Sequence, residues 1–211
     1  MITVTGLTKS YGPRELWGSL AFTVPTGSLL AVTGPSGSGK STLLNCLGLL
    51  DEPDRGSIDV DGEELTRLRT RGARDYRRHR LGYLFQNYAL VDTATVEQNL
   101  ALAVVERRGR AGRFDAALDR VGLSGRARER VSRLSGGEQQ RVALARLLVK
   151  SPSIVLADEP TGALDSGNAE TVLDILTEIA DRGASIVIAT HDDRIASRCD
   201  QQIQLTSPTI P

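Results

Sequence analysis

The run Gly34-Pro35-Ser36-Gly37-Ser38-Gly39-Lys40-Ser41 has the spacing of a turn that joins a strand to a helix and curls around phosphate. Gly34, Gly37 and Gly39 lack a Cβ, so the backbone can bend until its N–H groups point inward at phosphate oxygens. The helix that follows turns its positive end toward the same anion. Lys40 can reach the β- and γ-phosphates of a nucleoside triphosphate, and the Ser41 hydroxyl can ligate Mg²⁺. Pro35, Ser36, Ser38 and Thr42 complete the candidate phosphate-binding set.

A second constellation lies at Ile154-Val155-Leu156-Ala157-Asp158-Glu159, an apolar strand that ends in two carboxylates. Ligands of an open α/β sheet sit beyond the carboxyl ends of its strands. There Asp158 would hold Mg²⁺, directly or through water, and Glu159 would orient and polarise an attacking water. A strand ending in Asp-Glu is common by itself. Beside a phosphate loop it points to phosphoryl transfer to water.

The third segment is Leu134-Ser135-Gly136-Gly137-Glu138-Gln139-Gln140-Arg141. Ser135 with Glu138 three residues on is a capping box, and it opens an amphipathic helix through Val142, Ala145 and Leu148-Val149. Gly136 and Gly137 leave backbone N–H groups uncovered at a positive helix end. The residues alone allow two readings, a second phosphate site or a well-capped helix and nothing more.

The elements that must carry these groups follow from hydrophobic periodicity. Ile2-Thr3-Val4 alternates, and Ser28 to Val32, Ser57 to Val60, Leu81 to Phe85, Ile154 to Ala157 and Ile186 to Ala189 read as strands. A helical pattern runs from the phosphate loop through Leu43, Leu44, Leu47 and Leu50, and another from Ala169 to Ala180. Strands alternating with helices predict an α/β fold with a parallel sheet. The expected organisation is a single domain over 1–211. Residues 1–86 and 151–211 form its α/β core, and 87–150 is an inserted helical subdomain.

Length and charge narrow the function classes. With 26 basic and 26 acidic residues in a 211-residue chain, bulk electrostatic binding of nucleic acid is not expected. Cys46 and Cys199 have no metal or redox spacing and read as thiols of a reducing compartment. Met1 leads straight into a strand pattern, without a signal peptide, and the Ser28–Leu50 stretch is interrupted by the glycine-rich turn. A spanning helix needs about 20 mostly apolar residues. A cytoplasmic protein without direct membrane insertion is therefore expected. The arginine-rich run Arg67–Arg80 reads first as a solvated helical face and second as a surface for anionic lipid or acidic partner loops.

Taken with the phosphate loop and the Asp-Glu strand end, the Leu134–Arg141 segment resembles the LSGGQ signature of ATP-binding-cassette (ABC) ATPases, with Glu138 in its variable last place. The resemblance covers essentially the whole chain. It implies a P-loop NTPase core with a parallel-rich sheet, an N-terminal antiparallel β subdomain and an inserted helical subdomain. It further implies ATP and Mg²⁺ as ligands and a head-to-tail homodimer. In that dimer Ser135, Gly136 and Gly137 of one subunit close over ATP held by the phosphate loop of the other.

The same resemblance assigns further roles. Tyr11, in Lys9-Ser10-Tyr11-Gly12, is similar to the aromatic that stacks on adenine. Gln86 is similar to the Q-loop glutamine that touches Mg²⁺ or the attacking water, Asp165 to the D-loop aspartate that crosses the dimer interface, and His191 to the switch histidine that contacts the γ-phosphate. The implied catalytic set is Glu159, His191, Gln86 and Lys40, and the implied metal set Ser41, Gln86 and Asp158. Nucleic acid is not an expected partner.

Within the family, the chain resembles the macrolide-export and lipoprotein-release (MacB/LolD-like) branch. Its Leu81–Leu90 and Ala157–Asp165 segments look most like those of lactococcin-type bacteriocin exporters, with haem exporters as near neighbours. This implies an integral membrane permease as partner, with the ATPase held peripherally on the cytoplasmic face, and export as the work done. Force transmission across the membrane without transport is the alternative. A soluble DNA-repair or translation ATPase fits least, because no coiled-coil or zinc-binding insertion and no second cassette is present. Tyr88, Ala89, Leu90 and Val91 stand where the family receives the permease's coupling helix, and they read equally well as internal packing.

Overall fold

The structure, a computed structural model, describes residues 1–104, 110–161 and 166–206. In chain order its strands are β1 (Ile2–Tyr11), β2 (Arg14–Val24), β3 (Leu29–Thr33), β4 (Arg55–Val60), β5 (Glu63–Glu64), β6 (Leu81–Leu84), β7 (Ile154–Asp158), β8 (Ser185–Ala189) and β9 (Gln201–Gln204). The helices are α1 (Lys40–Leu47), α2 (Thr70–His79), α3 (Val96–Ala101), α4 (Arg110–Arg120), α5 (Gly136–Lys150), α6 (Ser166–Asp181) and α7 (Asp193–Ala196).

Two sheets result. The first is antiparallel, in the order β2-β1-β4-β5. The second has the order β6-β7-β8-β3-β9, and every pairing in it is parallel. The parallel sheet is the α/β arrangement expected from the alternation of strands and helices, and the antiparallel one is the β subdomain that the resemblance implies. Strands β3, β7 and β8 are short unbroken apolar runs because both of their faces are covered.

Side-chain alternation divides the core in two. Val155 and Ala157 of β7 and Ile186 and Ile188 of β8 face a cluster built with α3, α4, α5 and α6. Ile154 and Leu156, with Val187 and Ala189, point the other way, toward α1 and the antiparallel sheet. The parallel sheet is thus the partition between both halves of the molecule. Burial pushes the free Cys46 thiol up to about 12 and the Cys199 thiol up to about 11, so neither is a thiolate at neutral pH.

The helix after the phosphate loop is shorter than its periodicity predicts. It stops at Leu47, Gly48 caps it, and Leu49 takes φ 53. Gly48 sits where a Cβ would press on the side chains of Leu156 and Leu81 at 3.4 Å, so the helix end lies tight on the sheet. Leu50 is consequently outside the helix and 50% exposed.

The loop after β6 is held by a buried polar side chain. Asn99, on α3 with 0% exposure, accepts a hydrogen bond from the Val91 N–H at 2.8 Å. Its amide donates to the carbonyls of Val91 at 3.1 Å and Thr95 at 3.0 Å. Asn99→Leu removes all three bonds and leaves Val91 polar groups without partners. It is expected to lower unfolding stability by about 1–3 kcal/mol, read as a lower denaturant midpoint at constant m-value.

Candidate active site

Parallel pairing brings the ends of β3, β6, β7 and β8 to one edge of the sheet. Ala189 pairs with Asp158 on one side and Val32 on the other, so those strands finish level. The segments that leave this edge carry the phosphate loop, Gln86, Asp158-Glu159 and His191. They enclose a cleft of ≈ 450 Å³ lined by Tyr11, Leu16, Ser36, Gly37, Gly39, Lys40, Ser41, Thr42, Gln86, Asp158, Glu159 and His191. Residues read from separate stretches of sequence therefore meet in one place.

Each wall has its own cause. The Lys40 ammonium donates to the carbonyls of Gly34 at 2.8 Å and Pro35 at 3.2 Å, so the loop's lysine is folded over its own backbone. Ser38 closes the turn by donating its N–H to the Pro35 carbonyl at 3.2 Å. Ser38 is 1% exposed behind the loop, next to Gly34, and its hydroxyl has no hydrogen-bond partner among the described residues. Gly34, Pro35 and Ser38 thus shape the loop, whereas Ser36, Gly37, Gly39, Lys40, Ser41 and Thr42 face the cleft.

The acidic wall is half-buried. Desolvation raises the Asp158 carboxyl above its ordinary range, opposed by a hydrogen bond from Ser41 and reinforced by the charge of Glu159. Glu159 keeps β-type pairing by donating its N–H to the Ala189 carbonyl at 2.9 Å, yet its φ is 47. That left-handed backbone is unfavourable for a side chain with a Cβ, and it turns the carboxylate toward His191. His191 Nδ1 lies 2.9 Å from Glu159 Oε1, and the His191 side chain is 71% exposed, so the pair sits at the open rim.

The Tyr11 ring is set by groups the motifs did not reveal. Its hydroxyl donates to Asp51 Oδ2 at 2.5 Å. Lys9, buried beneath, donates to Asp51 Oδ1 at 2.7 Å and stands 5.0 Å from the ring centroid. Arg14 donates to the Gly37 carbonyl at 3.1 Å, and Trp17 lies under Gly39. Sequence reasoning missed Lys9, Arg14, Trp17 and Asp51 because no pattern links them to the loop.

Ser135, Gly136 and Gly137 do not line this cleft. Ser135 and Gly136 are exposed at the start of α5, and no atom stands within 4 Å of a Cβ placed on Gly136. The capping box is formed: Ser135 accepts from the Glu138 N–H at 3.3 Å, and the Ser135 N–H donates to Glu138 Oε2 at 2.7 Å. The same helix also reaches the cleft from behind, through Gln140 donating to the Pro160 carbonyl and Arg146 donating to the Tyr88 and Ala89 carbonyls at 2.7 Å. Asp165 lies outside the described residues.

A second groove, of ≈ 310 Å³, opens beside the loop after β6, with Tyr83 and Phe85 stacked at 3.8 Å in its lining. Arg77, Arg146 and Lys150 also line it, and desolvation lowers the Lys150 ammonium to about 8. Of the four residues that read either as docking surface or as packing, Ala89 lines the groove, Tyr88 and Leu90 pack partly on the core, and Val91 is 45% exposed.

Comparison with known proteins agrees with this geometry. A family model described as "ABC transporter" matches residues 18–162. The chain is 38% identical over 221 residues to the lipoprotein-releasing system ATP-binding protein LolD 1 of Rhodopseudomonas palustris, covering 100% of this chain and 98% of that protein. It is 39% identical over 218 residues to the macrolide export ATP-binding/permease protein MacB of Escherichia coli, of which it spans 34%. Among solved structures, the dimeric post-hydrolysis state of the ATP-binding cassette MJ0796 bound to ADP and Pi superposes with a TM-score of 0.89 at 31% identity, covering 98% of this chain and 96% of that one.

Gly39 offers a direct probe of the loop. Its φ is 92, and an added Cβ would stand 2.7 Å from Trp17 Nε1. Gly39→Ala must therefore displace either Trp17 or the loop. Titration with a fluorescent ATP analogue is expected to give at least about tenfold weaker binding than the parent, close to 1.4 kcal/mol.

Proposed function

Because this chain belongs to the ABC transporter family of ATP-binding domains, we propose that it is the ATPase subunit of a membrane export complex and works as a dimer around two ATP molecules. The observation that carries the reading is a division of labour. One cleft gathers Lys40, Ser41, Gln86, Asp158, Glu159 and His191, while Ser135 and Gly137 stand outside it. The cleft is half a site, and a second copy's signature segment supplies the other half. That the dimeric cassette relative is bound to ADP and Pi supports this.

In this mechanism Lys40 leaves the Gly34 and Pro35 carbonyls for the β- and γ-phosphates, helped by the N–H groups of the loop and the N-terminus of α1. Tyr11, fixed by Asp51, stacks on the adenine. Ser41, Asp158 and Gln86 line one cleft and form a set of hard oxygen donors that suits Mg²⁺. Held by these residues, the ion would supply positive charge to offset the negative charge of the phosphates. Glu159 polarises the attacking water, and His191 holds the Glu159 carboxylate in place and meets the γ-phosphate. No covalent intermediate is needed, since positioning and electrostatics suffice for phosphoryl transfer. Loss of the γ-phosphate releases the partner's Ser135 and Gly137, and the dimer reopens.

The membrane side of the proposal rests on the groove with the Tyr83–Phe85 stack. Its apolar lining and its arginines suit an amphipathic permease segment that carries an acidic residue. Among the described residues no helix is long and apolar enough to cross a membrane, so the chain would be held peripherally, on the cytoplasmic face, by such a permease. The domain organisation follows the same reading: 1–86 and 151–211 bind and hydrolyse nucleotide, and 87–150 carries the signature to the second copy. A peptide or bacteriocin, a lipoprotein, haem or a macrolide would be selected by the permease. Force transmission without transport would use the same cleft.

Two variants test the assignment. Glu159→Gln is expected to bind ATP, to lose about 100-fold or more in hydrolysis rate, and to elute as a dimer at saturating Mg-ATP. A monomeric Glu159→Gln protein would sink the composite site. Lys40→Ala should lose nucleotide affinity in equilibrium titration, and undiminished binding would remove Lys40 from its role.

A further inference from the structure

We infer that Arg126 is a positioning residue of the composite site, and that it offsets the charge of Glu138 so that the Ser135 end of α5 can accept a γ-phosphate. This rests on the proposed dimer and adds to it a residue that lies outside every motif.

The problem it solves is electrostatic. Glu138 occupies the last place of the signature segment, one helical turn from Ser135. In the dimer that end meets the most highly charged part of ATP. A bare carboxylate there would repel the phosphate through a short distance. It would also compete for the Ser135 hydroxyl, which already donates to Glu138 Oε2 at an O···O distance of 2.9 Å. The hydroxyl can serve a phosphate oxygen only if it leaves that carboxylate.

Arg126 addresses both difficulties. Its Nη1 donates to Glu138 Oε1 at 2.9 Å, and its Nε donates to Glu129 Oε2. One guanidinium thus clamps two carboxylates in a fork that a lysine could not reproduce. The bonds from Ser135 and Arg126 hold the Glu138 carboxyl down at about 2, so it is ionised, and the single positive charge of Arg126, shared with Glu129, leaves one net negative charge where two would otherwise stand. With Oε1 committed to Arg126, the carboxylate is a weaker acceptor at Oε2, and Ser135 is easier to release.

The experiment uses the Glu159→Gln background, in which dimer formation reports ATP-driven closure directly. Static light scattering across an ATP titration is run for the parent, for added Arg126→Ala, for added Glu138→Gln, and for both together. Arg126→Ala is expected to raise the ATP concentration at half-maximal dimerisation by about tenfold, with the deficit shrinking in high salt. Adding Glu138→Gln should restore the parent value, since the neutral amide keeps the cap acceptor without the charge. Glu138→Gln alone should dimerise at the same or lower ATP. ATP binding to the monomer, followed by a fluorescent analogue, should be unchanged in all four, which also shows that each is folded.

Unweakened dimerisation of the Arg126→Ala protein would overturn the inference. So would a deficit that Glu138→Gln fails to rescue, because Arg126 would then be only a structural clamp, and so would weakened dimerisation of Glu138→Gln alone. A parent that does not dimerise at all would instead overturn the composite site itself, and this inference with it.

Discussion

Hydrogen bonding among β7, β8 and β3 levels Asp158, Ala189 and Val32 against one another, and the site depends on that register. A one-residue slip would turn every buried side chain of a strand to the opposite face and exchange the two halves of the core. Parallel pairing also forces each connection to cross the sheet before returning, so every carboxyl end opens at the same edge. The phosphate loop, Gln86, the two carboxylates and His191 come together because the strands carrying them are parallel, although they are spread from residue 34 to residue 191 along the chain.

The groups at that edge sit in opposed electrostatic states. Asp158 is raised by burial and by its neighbour Glu159, while the Lys40 ammonium is engaged with loop carbonyls instead of a carboxylate. The Lys40 charge still opposes the rise of Asp158, so cation and carboxylate share one cleft while the hydrogen bonds of the ammonium go to the loop. The left-handed backbone of Glu159 adds local strain at the same edge.

Legibility in the sequence followed the range of the interactions. The phosphate loop, the capping box at Ser135 and the apolar strands were readable because local backbone chemistry dictates them over a handful of residues. The end of α1 was not, since Leu50 continues the periodicity while Gly48 and its packing on Leu156 stop the helix. The supports of Tyr11 were hidden because Asp51 lies 40 residues away in the chain. Gln140 reaching Pro160, Arg146 reaching Tyr88 and Arg126 reaching Glu138 are contacts that only the fold creates. The arginine-rich segment proved mixed. Arg77 and Arg80 are engaged with the Leu49 carbonyl and with Asp61 and Glu63, whereas Arg69, Arg71, Arg74 and Arg78 are exposed.

Helix α5 has 15 residues and is therefore about 22 Å long. Its first turn presents Ser135 outward, its second grips the Pro160 carbonyl just past Glu159, and its third holds the chain that follows Gln86 through Arg146. A rod so short and so well packed behaves as a lever with fixed arms. A tilt imposed at its outer tip would be delivered as displacement at the far end, beside the Tyr83–Phe85 stack, in proportion to arm length. The size of that displacement is a matter of geometry: substitutions that lengthen, shorten or hinge α5 would change it independently of how tightly the cleft binds its ligand.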